Sequence, residues 1–109
     1  MFRPTYPTEL VQNFSSLCAE HELAWDAGTG NGQLAILLAE HFTHVIGTDI
    51  SEKQLENAMP KRNVAYAIND SYHTSFADQS VDLVTAAQAV HWFNFDSFYK
   101  EVNRVLKPD

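Results

Sequence analysis

The run Asp26-Ala27-Gly28-Thr29-Gly30-Asn31-Gly32 constrains this chain more than any other stretch. Glycines at alternate positions let a backbone reach positive φ and approach a ligand closely, properties that neither a helix interior nor a strand interior uses. The flanks show what the run connects. Before it stands the short apolar segment Leu23-Ala24-Trp25, and after it Leu34, Leu37, Leu38 and Phe42 recur at helical spacing. The sequence reads strand, glycine loop, helix.

That unit repeats along the chain. Leu10, Val11, Phe14, Leu17 and Cys18 predict an amphipathic helix from about residue 8 to 20, following Pro7-Thr8. Val45 to Ile50 predicts a second strand ending in Asp49, and Ser51 with Gln54 gives a capping-box pattern for a helix that Pro60 stops. Val64 to Ile68 predicts a third strand, and Ser71 to Ser80 is too interrupted for a helix. The nearly continuous apolar run Val81 to Val90 has the pattern of a parallel strand buried on both faces. Asp96 is placed to cap a last helix with Phe98, Tyr99, Val102, Val105 and Leu106 on its core face, ending at Lys107-Pro108. With no repeat or low-complexity tract to divide it, residues 1–109 form one α/β domain with a parallel sheet and right-handed crossovers.

Sheets of this kind bind ligands beyond the carboxyl ends of their strands. The loop from Asp26 to Gly32, Asp49, Asp70 and the segment from Gln88 to Trp92 all come out at that edge. A dinucleotide loop has the spacing G-x-G-x-x-G, in which the third glycine permits close helix packing. Here Gly28 and Gly30 satisfy the first two positions, but Gln33 occupies the third, and the remaining glycine, Gly32, comes one residue early. An NAD-dependent oxidoreductase half is disfavoured accordingly.

The pattern D-x-G-x-G-x-G over Asp26 to Gly32 instead resembles motif I of the class I S-adenosylmethionine-dependent methyltransferases. The resemblance continues through Val45-Ile-Gly-Thr-Asp-Ile-Ser51, the family's second-strand segment, and through Phe76 to Val84, which is similar to its loop and fourth strand. Val105-Leu106-Lys107-Pro108 is similar to the helix and turn that follow. Arg3 to Pro7 and Ala89 to Phe93 resemble the methyltransferase type 11 branch that includes trans-aconitate-type carboxyl methyltransferases. The resemblance implies a Rossmann-like three-layer αβα sandwich with a mostly parallel sheet of order 3-2-1-4, truncated after the fourth strand. It implies S-adenosylmethionine as cofactor, held by Asp26, Gly28, Thr29, Gly30, Gly32, Asp49, Ile50, Asp70, Ser71 and Gln88. In such a site Asp49 accepts from the ribose hydroxyls, Ile50 packs on adenine and Asp70 lies near the adenine amino group. Asp49 also reads as a helix-flanking acid, and Asn69-Asp70-Ser71 as an ordinary turn. His91 is the candidate to orient or deprotonate an acceptor, against a plain reading as a histidine bonded at a strand end. The acceptor implied is a small molecule, a carboxylate being one class, with Arg3 placed near it by analogy alone.

Composition narrows the partners. Fourteen acidic against seven basic residues, a formal charge of −7, argue against nucleic acid held on a broad basic face. One cysteine, Cys18, favours a reducing, cytoplasmic setting, and no apolar run approaches membrane-spanning length. His21, His41, His44, His73 and His91 show no zinc-ligand spacing, so no metal is expected. The expected domain lacks the family's C-terminal strands, leaving the apolar fourth strand as an edge for a homodimer or a partner chain to cover, or a sign of a shortened regulatory form. The rival to an enzyme is therefore a non-catalytic module or activator subunit that binds a partner through that edge.

Overall fold

Alternation along β1 (Leu23–Ala27) divides the molecule into two cores. Ala24 turns one way and Trp25 the other, each without solvent exposure. In the computed structural model, which describes residues 8–86 and 94–108, these two residues face separate layers of side chains. The first layer holds α1 (Thr8–Ser16) and α2 (Gln33–Leu38), with Val11, Leu34, Ala35 and Leu38 packed on Ala24 and Val45. The second holds α4 (Phe95–Val105), whose Phe98 and Val105 pack with Trp25, Ala27 and Val81.

The sheet between them is parallel and four-stranded, in the order β3-β2-β1-β4, with β2 at His44–Asp49, β3 at Val64–Ile68 and β4 at Leu83–Thr85. Ala24 lies beside Val45 and Leu83, and Val45 beside Val64, so residues in register share a face. A short α3 (Glu52–Glu56) joins β2 to β3. Helices on both faces of a parallel sheet make the Rossmann-like αβα sandwich that the sequence implied.

Helix α3 ends at Glu56, ahead of the Pro60 expected to stop it near Met59, and the boundaries differ from expectation in three further places, each for a local reason. Helix α1 stops at Ser16 rather than near residue 20, because Leu17 and Cys18 donate to the carbonyls of Phe14 and Ser15 in tight terminal turns, leaving Leu17 85% exposed. The cap of α4 is Asn94, whose side chain accepts from Ser97 N–H at 3.1 Å, and Asp96 falls in the first turn, where its charge suits the helix dipole. Tyr99, assigned to the core face, is 56% exposed. Strand β4 is half-buried rather than enclosed on both faces, and the later part of the expected run lies outside the described residues. Ser51 caps α3 as the sequence indicated, its hydroxyl accepting from Gln54 N–H at 3.2 Å.

A polar clasp holds the long β3–β4 connection against α4. The carboxylate of Glu101 accepts from the Thr74 amide and hydroxyl at 2.7 and 2.6 Å and from Arg104 Nε at 2.9 Å. Arg104 also donates to Asp78 at 2.6 Å. Bonding to Arg104 holds the Glu101 carboxyl at a pKa of about 2, below the usual carboxylate range. Just before β4, Asp82 accepts from the Glu22 and Leu23 amides at 2.9 Å and pairs with Lys107.

Candidate cofactor site

The loop after β1 is built on positive backbone angles at Gly28, Gly30 and Gly32, with φ of 65°, 59° and 84°. At Gly32 a second requirement applies, since an added Cβ would strike the Tyr66 hydroxyl. That hydroxyl donates to the Met59 carbonyl at 2.6 Å, and the Met59 amide donates to the Asn31 carbonyl at 2.8 Å. Tyr66 of β3 therefore supports the last turn of the loop from beneath.

Thr29 anchors the middle of the loop. It is 1% exposed, its amide donates to the Thr48 carbonyl at 2.8 Å, and its hydroxyl donates to Asp26 at 2.8 Å. Gly47 makes this descent feasible: a Cβ there would come within 2.7 Å of the Thr29 hydroxyl and 2.9 Å of the Tyr66 ring. Next along, the Gly30 amide donates to one Asp49 carboxylate oxygen at 2.9 Å, and the Ser51 amide donates to the other at 2.9 Å. Asp49 thus lies against the loop at the carboxyl end of β2, partly open to solvent.

Asp26 is enclosed. It is 2% exposed and accepts from two hydroxyls, Thr29 at 2.8 Å and Thr85 at 2.7 Å. Burial outweighs those bonds and raises its pKa to about 6. Among the described residues neither Asp26 nor Asp49 forms an ion pair. Ile50 follows, 52% exposed, an apolar side chain at the rim.

The turn after β3 completes the arrangement. Asp70 accepts from the amides of Tyr72 and His73 at 2.8 and 3.0 Å, bonds that draw its pKa downward against a desolvation cost. Ser71 has φ of 70°, unusual for a residue with a side chain, and is 2% exposed. Its hydroxyl turns inward to Thr48 at 3.4 Å, and Thr48 accepts from the Trp25 indole at 2.9 Å. The structure therefore brings the loop, Asp26, Asp49, Ile50 and Asp70 to one edge of the sheet and places the Ser71 hydroxyl beneath it. Gln88, His91 and Arg3 lie outside the described residues.

Sequence reasoning passed over four supports: Gly47, Thr48, Tyr66 and Thr85. Gly47 carried a usable signal, a glycine in a strand marking close approach of another backbone. The others read as ordinary strand residues.

Comparison with known proteins shows the family. The methyltransferase domain family matches residues 25–109, and the chain belongs to that family. A Dictyostelium discoideum protein that carries a methyltransferase name is 45% identical over 107 residues, covering 97% of this chain and 41% of the relative. CRG1 of Saccharomyces cerevisiae, named as an S-adenosylmethionine-dependent methyltransferase, is 28% identical over 98% of this chain and 40% of its own length. In three dimensions the chain superposes on a type II methyltransferase of Anaeromyxobacter dehalogenans with a TM-score of 0.93 and 38% identity, covering 99% of this chain and 46% of that one. It spans about two fifths of the length of the curated relatives it matches. Among the described residues no helix is long and apolar enough to cross a membrane.

Proposed function

We propose that the chain binds S-adenosylmethionine at the carboxyl ends of β1 and β2 and takes part in methyl transfer to a small-molecule acceptor. The observation that carries this reading is the union of a glycine loop with two carboxylates, Asp26 and Asp49, that have no cationic partner among the described residues. Phosphate would be repelled by such a loop, whereas a ligand with a ribose diol, an uncharged base and positive charge suits it. The donor set fits the cofactor. Asp49 would accept from ribose hydroxyls, Ile50 would pack on adenine, and Asp70 would face the adenine amino group. Gly28 and Gly30 would let the loop backbone approach the amino-acid part, with Asp26 and Thr29 holding that backbone from below.

When bound, the cofactor supplies an electrophilic methyl on a sulfonium, which leaves as a neutral thioether after in-line displacement. The protein's share is positioning, which is worth several kcal/mol for a bimolecular step. His91 is proposed to orient or deprotonate the acceptor, and Gln88 to contribute to the cofactor site. A carboxylate acceptor, already ionised, would need a cation such as Arg3 rather than a base.

Calorimetric titration with S-adenosylhomocysteine tests the cofactor half without requiring the acceptor. Micromolar binding is expected, and Asp49→Ala should weaken it by about tenfold or more, equivalent to about 1.4 kcal/mol, with a stability loss of about 1 kcal/mol as the Gly30 and Ser51 amides lose their acceptor. Unchanged affinity in that variant removes Asp49 from the site, and a folded chain that binds nothing overturns the reading.

A further inference from the structure

Strand β3 is an outer strand of the sheet, and the direction of its backbone groups follows from two bonds at the ends of its ladder. The Val45 amide donates to the Asn63 carbonyl at 2.9 Å, and the Asn69 amide donates to the Asp49 carbonyl at 3.0 Å. Alternate residues carry the bonds of a parallel ladder. Odd-numbered residues of β3 therefore face β2, while Val64, Tyr66 and Ile68 turn their backbone groups outward, where no strand lies among the described residues; of these the Val64 amide is held by the Lys61 carbonyl at 3.0 Å.

Natural sheets blunt such edges with charge, proline or a bulge. Val64–Ile68 has no charge and no proline, pairs with β2 without a skipped residue, and leaves Ala65 and Ala67 exposed and Ile68 58% exposed. Its sequence, Val-Ala-Tyr-Ala-Ile, is also nearly the same read in either direction. Two-fold symmetric interfaces need that kind of self-complementarity. Antiparallel pairing about an axis at Tyr66 sets Tyr66 against the partner's Tyr66, Ala65 against the partner's Ala67, and Val64 against the partner's Ile68. Because Tyr66 faces outward, its pairing is a hydrogen-bonded one, and the Ile68 amide then reaches the partner's Val64 carbonyl.

Charge points to the same register. Carried past the strand ends, it brings Arg62, exposed before β3, beside the partner's Asp70, exposed after it and 3.3 Å from His73 of its own copy, and symmetry repeats the pair. We propose that β3 is the seam of a homodimer, joining two copies edge to edge into one continuous sheet with Arg62 of each copy facing Asp70 of the other.

Light scattering of the full chain across a dilution series, with amide hydrogen exchange, tests the seam. The expected mass is twice the 12.3 kDa of one chain, falling toward it on dilution. Tyr66 and Ile68 amides should be protected in the dimer and lose protection as it dissociates. Ile68→Pro removes only an outward amide, a position where edge strands tolerate proline, and should give a monomer with unchanged circular dichroism. Arg62→Glu, which leaves the strand intact, should weaken the dimer about tenfold and remove most of its salt dependence. A wild-type monomer at every concentration, or a dimer that survives both substitutions with the Tyr66 and Ile68 amides unprotected, overturns the proposal.

Discussion

Asp26 and Glu101 are both buried acids, and they are treated in opposite ways. Glu101, 7% exposed, has a guanidinium and a threonine pinned to it, and its pKa falls to about 2. Asp26, 2% exposed, has two hydroxyls and no cation, and its pKa rises to about 6. Glu101 closes a structural clasp that leaves little unmet demand. At Asp26 the fold tolerates an uncompensated desolvation cost beside the glycine loop, where a positively charged ligand would relieve it. Satisfaction marks architecture, and deficit marks the binding edge.

Breaking the clasp should have the largest destabilising effect. Glu101→Ala leaves Arg104 with Asp78 alone and strands the Thr74 donors, and is expected to cost about 2 kcal/mol in urea unfolding at neutral pH. The sign with pH follows from a lowered pKa: the contribution is present above the unfolded value of 4.5 and is lost as pH falls toward about 2. Glu101→Gln should flatten that acid limb.

Asp26 should behave in reverse. A raised pKa favours the folded state below the unfolded value of 3.8, and this contribution is lost as pH rises through about 6. Asp26→Asn should accordingly stabilise the protein by about 2 kcal/mol at pH 8, lose that advantage below pH 4, and weaken S-adenosylhomocysteine binding. If the variant is less stable at pH 8, the deficit assigned to Asp26 does not exist.

Smaller effects sharpen the contrast between loop and clasp. Gly32→Ala meets both a φ of 84° and the Tyr66 hydroxyl, and should cost about 1–2 kcal/mol with a matching loss of ligand affinity. Tyr66→Phe should recover only part of the steric cost, since the ring Cζ would still lie 2.8 Å from the added carbon, and calorimetry of the double variant reads that part directly. Least of all, Ser51→Ala removes the cap of the solvent-facing α3 and should cost about 0.5–1 kcal/mol in thermal unfolding.

Much of this was legible in the sequence because it rests on local rules. Alternating glycines, Ser51 before Gln54, and apolar runs between them gave the alternation of strands and helices and the loop, since each depends on residues a few positions apart, whereas the strand order came from the resemblance to the family. What was not legible depends on distant neighbours. Nothing in the sequence near Asn94 or Asp96 decides which of two adjacent capping residues the chain reaches first. Thr85 looks like any β-branched strand residue until its hydroxyl is seen on Asp26. Ser71 enters the cofactor set through the family resemblance alone, and only its burial against Thr48 shows where its hydroxyl is spent.

The bond from the Trp25 indole to Thr48 has an optical consequence. Thr48 offers its hydroxyl to that indole and its carbonyl to the Thr29 amide, so the fluorophore and the glycine loop share one residue. A shift of the loop would reach the emission of Trp25 through a single side chain. The protein thereby carries, deep in its sheet, a native dye wired to the state of its binding edge.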